Sequence, residues 1–392
     1  MSVAIPLAGI ADKWLSELAR LTERAALDGI DGPTLLGERA MLGGFRIPTR
    51  VSAGGGCRLY ASRTDDIALN LARADDRELL PALFETDIDC RTPAHIAACI
   101  AERDAHALLA RGRLLGMAIA AEDEPGTPRA SGTLLMAATS AARGRHGAPR
   151  VLDLSALWAG PLAGHLLWLL GAEVTKVETL TRPDATRVGD AAFFALLNQG
   201  KASAVLDFRE AQDRAALLAL IAGSDIVIEA ARPRALEQLG IRADEIVRSQ
   251  PGLTWITITG HGASGDAATW VGFGDDCGVA AGLSGALRNA CGRTGFVGDA
   301  IADPLTGIYA ARAAWTAWAA GQGGRIGVAM SGVVAEAMAA ARAHDAPGFN
   351  LELINWAASS GTAFPAVRRR EVGHVSQLGA DTRASLARWA SC

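Results

Sequence analysis

The sequence lacks paired cysteines. Its six (Cys57, Cys90, Cys99, Cys277, Cys291 and Cys392) are scattered, with no CxxC or CxxH spacing. That argues against a zinc site, so no metal is expected, and for reduced thiols in a cytoplasmic protein. No basic block is present, and the net charge of −4 gives no reason to expect a nucleic-acid partner. Apolar runs such as Ile308–Ala320 fall short of the ~20 residues that a membrane span requires. The N-terminus has no basic segment followed by an unbroken apolar stretch, so no signal peptide and no membrane partner are expected. The GxGxxG pattern is missing as well, which leaves a nicotinamide or flavin cofactor with little support.

What is present is a 392-residue chain, half apolar and one-fifth charged. That is the composition of a globular protein too long for one ordinary core, so two domains are expected. Residues 1–148 read as a small α+β domain with a linker. Asp12 to Ala26 carries apolar residues at helical spacing, and Ser52-Ala53-Gly54-Gly55-Gly56 precedes two strand-like runs, Arg58–Ser62 and Ile67–Ala72, around a polar turn. The three glycines either expose backbone N–H groups to an anion or form a hinge. Helical patterns follow, with His95 and His106 read as surface residues. Glu122–Pro149 reads as the linker that marks the boundary.

From 149 onward the periodicity changes. Val151–Leu154, Glu173–Val177, Ala204–Phe208, Asp225–Glu229 and Leu253–Thr259 are short apolar strands that alternate with helices. The pattern predicts an α/β domain over 149–392, a Rossmann-like parallel sheet covered by helices. Ligands of such sheets bind at the carboxyl ends of the strands. There stand the turn Trp158-Ala159-Gly160 and the cations Lys176, Arg182, Arg187, Lys201 and Arg232. Singly these are ordinary surface charges; along one sheet edge they suit a ligand carrying several phosphates.

The stretch Gly298-Asp299-Ala300-Ile301-Ala302-Asp303-Pro304-Leu305-Thr306-Gly307 opens a long apolar helix. Pro304 fits its first turn, and Asp303 reads as its N-cap. The flanking glycines allow another backbone or a ligand to come close, so the same carboxylate could also be a nucleophile toward an activated acyl group. Farther on, Val333–Ala343 is helical, Ala346–Ala366 irregular, and Thr382–Ala390 a short helix.

These residues carry a family likeness. Val151–Ser155, Ala159–Ala163, Leu170–Glu178, Leu197–Lys201, Ala204–Phe208, Ile226–Pro233, Ile258–Gly262, Gly298–Gly307 and Leu378–Thr382 resemble, in order, the motifs of class III (family III) CoA-transferases, the superfamily that also holds the α-methylacyl-CoA racemases. The resemblance implies CoA transfer between carboxylic acids. An aspartate, here Asp303, would form first an acyl anhydride and then a CoA thioester. It implies coenzyme A and acyl-CoA as substrates rather than a resident cofactor, and a homodimer. Trp158, Ala159, Gly160 and Arg232 match positions beside CoA, with Lys176 and Arg182 as phosphate partners. Gly54–Gly56 would correspond to a glycine loop that closes over the aspartate.

Two features depart from the family pattern. The segment resembling the small domain precedes the large one, as though the domain order were rearranged. The stretch Gly272-Phe273-Gly274-Asp275-Asp276 also lacks the histidine of the racemases, which counts against an epimerase of 2-methylacyl-CoA, since α-proton exchange needs two opposed bases. His261 reads as a loop residue before a catalytic one. A catalytically silent CoA-binding protein is the remaining alternative.

Overall fold

A computed structural model of the chain describes residues 3–22, 27–86, 92–124, 130–139, 147–231 and 233–389. Arg232, Cys90, Cys392 and the end of the first predicted helix (23–26) lie outside the described residues, as do parts of the predicted linker. Among the described residues no helix is long and apolar enough to cross a membrane.

Strands β1 (Cys57–Ala61), β2 (Asp66–Asn70) and β3 (Ala118–Ala121) form a small antiparallel sheet in the order β1-β2-β3. Alternation gives each strand two apolar faces. Ile67, Leu69 and Ile119 pack under the unit's own helices, while Leu59, Ala68 and Ala120 pack on Val279 and Phe296 of the larger unit. The hairpin is where the sequence predicts it, and β3 is an addition.

The larger unit is the predicted Rossmann-like sheet. It comprises β4 (Gly132–Ala137), β5 (Arg150–Asp153), β6 (Glu173–Glu178), β7 (Ala202–Val205), β8 (Ile226–Glu229), β9 (Thr254–Thr259) and β10 (Gly324–Ala329), ordered β4-β10-β9-β8-β5-β6-β7. All neighbours are parallel except β4, which runs antiparallel to β10 at the edge. The predicted linker therefore contributes an edge strand; its short apolar run Leu134-Leu135-Met136 stands alone in a Gly-, Ser- and Ala-rich stretch and stays largely exposed, as an edge strand allows. Strand order reverses between β5 and β8, and the crevice at their carboxyl ends is the ligand position of such sheets.

Packing cuts across the expected division at 148. The helices Ala8–Arg20 and Gly32–Leu42 bury Trp14, Leu15, Leu18, Leu35 and Leu36 in the core of the large sheet, against the Ala302–Ala319 helix. The 346–366 stretch expected to be irregular is mostly helix. Met330–Ala358 runs on through Pro347, bent at Asp345 (φ −156°, ψ 86°). Proline costs little there because the break supplies its N-terminal turn.

Candidate active site

Asp303 stands in the first turn of the Ala302–Ala319 helix, and the N-cap is Ile301, so the aspartate does not cap its own helix. It is partly exposed, and its carboxylate accepts the backbone N–H of Ala159. That N–H belongs to the first turn of the neighbouring Ala159–Leu169 helix, the positive end of its dipole. The two helices meet because Gly307 is bare. A Cβ there would lie 2.9 Å from the Ala159 carbonyl oxygen and 2.8 Å from Leu162. Gly274 does the same on the other side, where a Cβ would lie 2.2 Å from Asp303 Oδ2.

Three more carboxyls crowd this point. Asp299 is fully buried and takes a two-pronged bond from Arg39, Nε to Oδ2 at 2.9 Å and Nη2 to Oδ1 at 2.5 Å. Asp275 accepts the Ala300 N–H at 3.1 Å and the Ser52 hydroxyl. Asp276 accepts the Asn70 side-chain amide at 2.9 Å and the Phe273 N–H at 3.2 Å. Asp275, Asp299 and Asp303 share the Arg39 guanidinium, and Asp276 lies beside Asp275. Burial pushes Asp303 up to about 7, with Arg39 pulling it down and Asp275 and Asp299 adding to the rise. Burial and Asp299 push Asp275 up to about 6, and burial pushes Asp276 up to about 7. Two non-glycine residues here hold left-handed backbone, Leu157 at φ 70° and Ala300 at φ 41°. Such strain persists where the surrounding contacts fix it.

The turn Trp158-Ala159-Gly160 follows β5 at the switch point. It is held from below: Lys176 donates to the Ser155 carbonyl at 2.7 Å and pairs with Asp184 at 3.1 Å, and Asp184 accepts the Leu157 N–H at 3.2 Å. A Cβ on Gly160 would lie 2.2 Å from Ser155 Oγ, so only glycine fits beneath the turn. Trp158 is buried, edge-on to Phe193 at 4.9 Å, and its indole N–H has no hydrogen-bond acceptor among the described residues.

The row of cations read along the sheet edge is not a free positive surface. Lys176 is buried and turned inward. Lys201 is buried too, bonded to Asp153 (2.8 Å), the Pro161 carbonyl (2.7 Å) and Asn198 (3.0 Å). Arg187 is bound to Glu178 and lies over the Phe194 ring at 4.2 Å. A buried ammonium must be paired with an anion, and a strand end supplies one readily. Arg182 is exposed at the surface.

His261 is buried, its ring 5.9 Å from that of Trp270. It lines a cavity of about 1000 Å³ between the small sheet's helix Ala105–Leu114, strands β4 and β10 and the loop after β9, together with His106, Arg113, Leu135 and Trp270. Asp303 is not in the lining of that cavity. Donor atoms of His261, Asp276 and Cys277 fall within 4.8 Å of one another, a set chemically able to bind zinc. Two of its members have bonds of their own, since Cys277 donates to the Gly260 carbonyl at 3.3 Å and Asp276 serves Asn70.

Sequence reasoning missed Arg39 altogether, and read Asp275 and Asp276 only as a place where histidine is lacking. A Cβ on Gly54 would lie 3.0 Å from Arg39 Nη2, so the glycine run lies against that arginine.

The model of CoA-transferase family III matches residues 148–354. A succinyl-CoA–D-citramalate CoA-transferase of Chloroflexus aurantiacus is 33% identical over 182 residues, covering 43% of this chain and 44% of that protein. A succinate–glutarate CoA-transferase of Agrobacterium fabrum is 31% identical over 180 residues, covering 42% and 44%. A crystal structure of a hypothetical protein from Mycobacterium tuberculosis aligns at 29% identity over 52% of this chain and 60% of that one, with a TM-score of 0.46. The chain thus spans less than half the length of the two transferases.

Proposed function

The chain belongs to CoA-transferase family III, and from that premise we propose that it moves coenzyme A between carboxylic acids with Asp303 as the nucleophile. One observation carries the reading: a partly exposed carboxylate at the mouth of a buried helix, steadied by the Ala159 N–H and by a nearby guanidinium. A carboxylate is a weak nucleophile, but the anhydride it forms keeps the energy of the thioester.

In this reading an Asp303 oxygen attacks the thioester carbonyl carbon, the C–S bond breaks, and the CoA thiolate leaves with the electron pair. The thiolate then attacks the aspartyl carbonyl, which releases the donor acid and leaves an aspartyl-CoA thioester. The acceptor carboxylate attacks that thioester, and the returning thiolate takes the acyl group from the new anhydride and frees Asp303. The Ala159 N–H and the helix dipole behind it would stabilise negative charge on the Asp303 oxygen in the tetrahedral intermediates formed at the aspartyl carbonyl.

We place CoA along the Trp158–Gly160 turn at the β5/β8 switch point, with Arg182 and Arg232 as its cationic contacts. The unsatisfied indole N–H of Trp158 supports a ligand acceptor there. Lys176 serves the same site indirectly, as the strut beneath the turn. A homodimer, as in the family pattern, is part of the proposal.

The test is intact-protein mass spectrometry after incubation with succinyl-CoA, acetyl-CoA and formyl-CoA. An adduct on Asp303 that hydroxylamine removes, and that is lost in Asp303→Asn, is expected. Normal turnover by Asp303→Asn would end the reading. A second reading, α-proton exchange, is favoured by one observation: Asp275 and Asp303 are two neighbouring acids poised near neutrality. Deuterium uptake at the α-carbon of a 2-methylacyl-CoA, without CoA transfer, would select it.

A further inference from the structure

We propose that Arg39 is a positioning residue for Asp303: clamped on Asp299 and stacked over Trp158, next to the Ala159 whose N–H binds the nucleophile, its guanidinium favours the attacking carboxylate over the neutral acid. The inference rests on Asp303 being the attacking group. Arg39 lies outside the matched segment 148–354, and it reaches the site only through the packing of the Gly32–Leu42 helix. That helix is fixed at both ends and on both sides. Asp31 caps it by accepting the Thr34 N–H at 2.8 Å, and Leu35, Leu36 and Ala40 are in the main core. Glu38, one residue before Arg39, is held by two 2.7 Å bonds from Arg370.

From this anchored helix the Arg39 side chain crosses to Asp299. The two-pronged bond uses Nε and one N–H of Nη2, and leaves the remaining donors of the fork unspent on that carboxylate. The guanidinium carbon sits 5.0 Å from the Trp158 ring and 5.7 Å from the Phe45 ring. The side chain is 25% exposed, whereas that of Asp299 is fully buried. The arginine therefore does two things at once. It neutralises a buried carboxylate, and it presents positive charge between the CoA turn and the glycine loop.

The charges that face Asp303 are known from each neighbouring element. The Gly32–Leu42 helix brings Arg39. The Gly274–Ala280 helix brings Asp275, with Asp276 one residue on. The loop before Asp303 brings Asp299, and the Ala159–Leu169 helix brings only the uncharged Ala159 N–H to the carboxylate. Arg39 is the one cation among those charges. Its removal leaves acids alone around Asp303, so the effect on proton affinity has a definite sign: upward.

The simpler role, neutralising Asp299 for stability, would leave the pH profile where it is. The experiment compares the rate of Asp303 labelling by succinyl-CoA from pH 5 to 9 in wild type, Arg39→Gln, Arg39→Lys and Arg39→Gln/Asp299→Asn. Arg39→Gln is expected to move the acid limb up by at least about one pH unit, a roughly tenfold loss at pH 6 that recovers by pH 9. Arg39→Lys keeps the midpoint but lowers the rate, because an ammonium cannot reproduce the fork. The double variant removes the unpaired buried charge, so it folds even where the single one does not, and its midpoint lies between those of wild type and Arg39→Gln. A wild-type midpoint in a folded Arg39→Gln or double variant overturns the proposal. Absence of any adduct in wild type is a failure of the covalent reading instead. The carboxyl ¹³C resonance of Asp303 then reports its titration directly, and an unmoved midpoint in Arg39→Gln is the refuting result.

Discussion

Gly274→Ala tests the site's geometry without replacing a charged group. The new methyl carbon would lie 2.2 Å from Asp303 Oδ2, 2.3 Å from the Ala300 carbonyl oxygen and 2.7 Å from the Ala300 carbonyl carbon. Ordinary contacts between such atoms begin near 3.5 Å, so something must move by about 1 Å. The carboxylate can rotate; the Ala300 carbonyl cannot. It belongs to a residue at φ 41° whose N–H is tied to Asp275. Overpacking of this kind costs about 1–3 kcal/mol, and the upper half applies because the obstacle is backbone. The usual helix gain of alanine over glycine is small here, since Gly274 is the first residue of its helix. If Asp303 is the nucleophile, as proposed, a displacement of about 1 Å costs on the order of 100-fold in rate. The assay is urea unfolding together with the rate of Asp303 labelling by succinyl-CoA. Gly9→Ala is the control: Gly9 is exposed in the first turn of the Ala8–Arg20 helix with nothing within 4 Å of its missing Cβ, so that change should be neutral or stabilise by no more than about 0.5 kcal/mol. A Gly274→Ala protein as stable as wild type and labelled at the wild-type rate would refute the close approach.

Two further outcomes follow from the buried charges. Asp275, Asp276 and Asp303 are raised from 3.8 to about 6, 7 and 7, so the folded state binds protons that the unfolded state has released. Their contribution is complete below about pH 4 and is lost as pH rises through 6–7; urea midpoints should fall between pH 5 and 8, and Asp276→Asn should flatten that slope. A flat profile in wild type would contradict the burial. Lys201→Met leaves Asp153, held near 2 despite burial by Lys201 and Lys176, without its closest cation, and should cost about 3–5 kcal/mol; calorimetry showing a loss below about 1 kcal/mol would mean the pair is dispensable.

The sequence alone carries the parallel sheet, because a buried strand writes its own apolar run and the helices between strands write theirs. It also singles out Asp303 as the proposed nucleophile, through the ordered motifs around it, and the bare Gly307 that lets the two helices meet there. Alternation and turn chemistry are local, so residues a few positions apart suffice to reveal them. The partners of Asp303 are another matter. Arg39 and Asp299 are 260 positions apart, and nothing in the stretch around Arg39 distinguishes it from a surface cation. Lys176 and Lys201 look like a cationic sheet edge until burial forces each onto an acid. Strand β4 looks like linker because its short apolar run stands alone in a Gly-, Ser- and Ala-rich stretch, as an edge strand allows. Tertiary packing decided which charges are neutralised, which protons are retained, and that the first 47 residues complete the core behind the site. Those outcomes depend on desolvation, and desolvation exists only once distant segments have met.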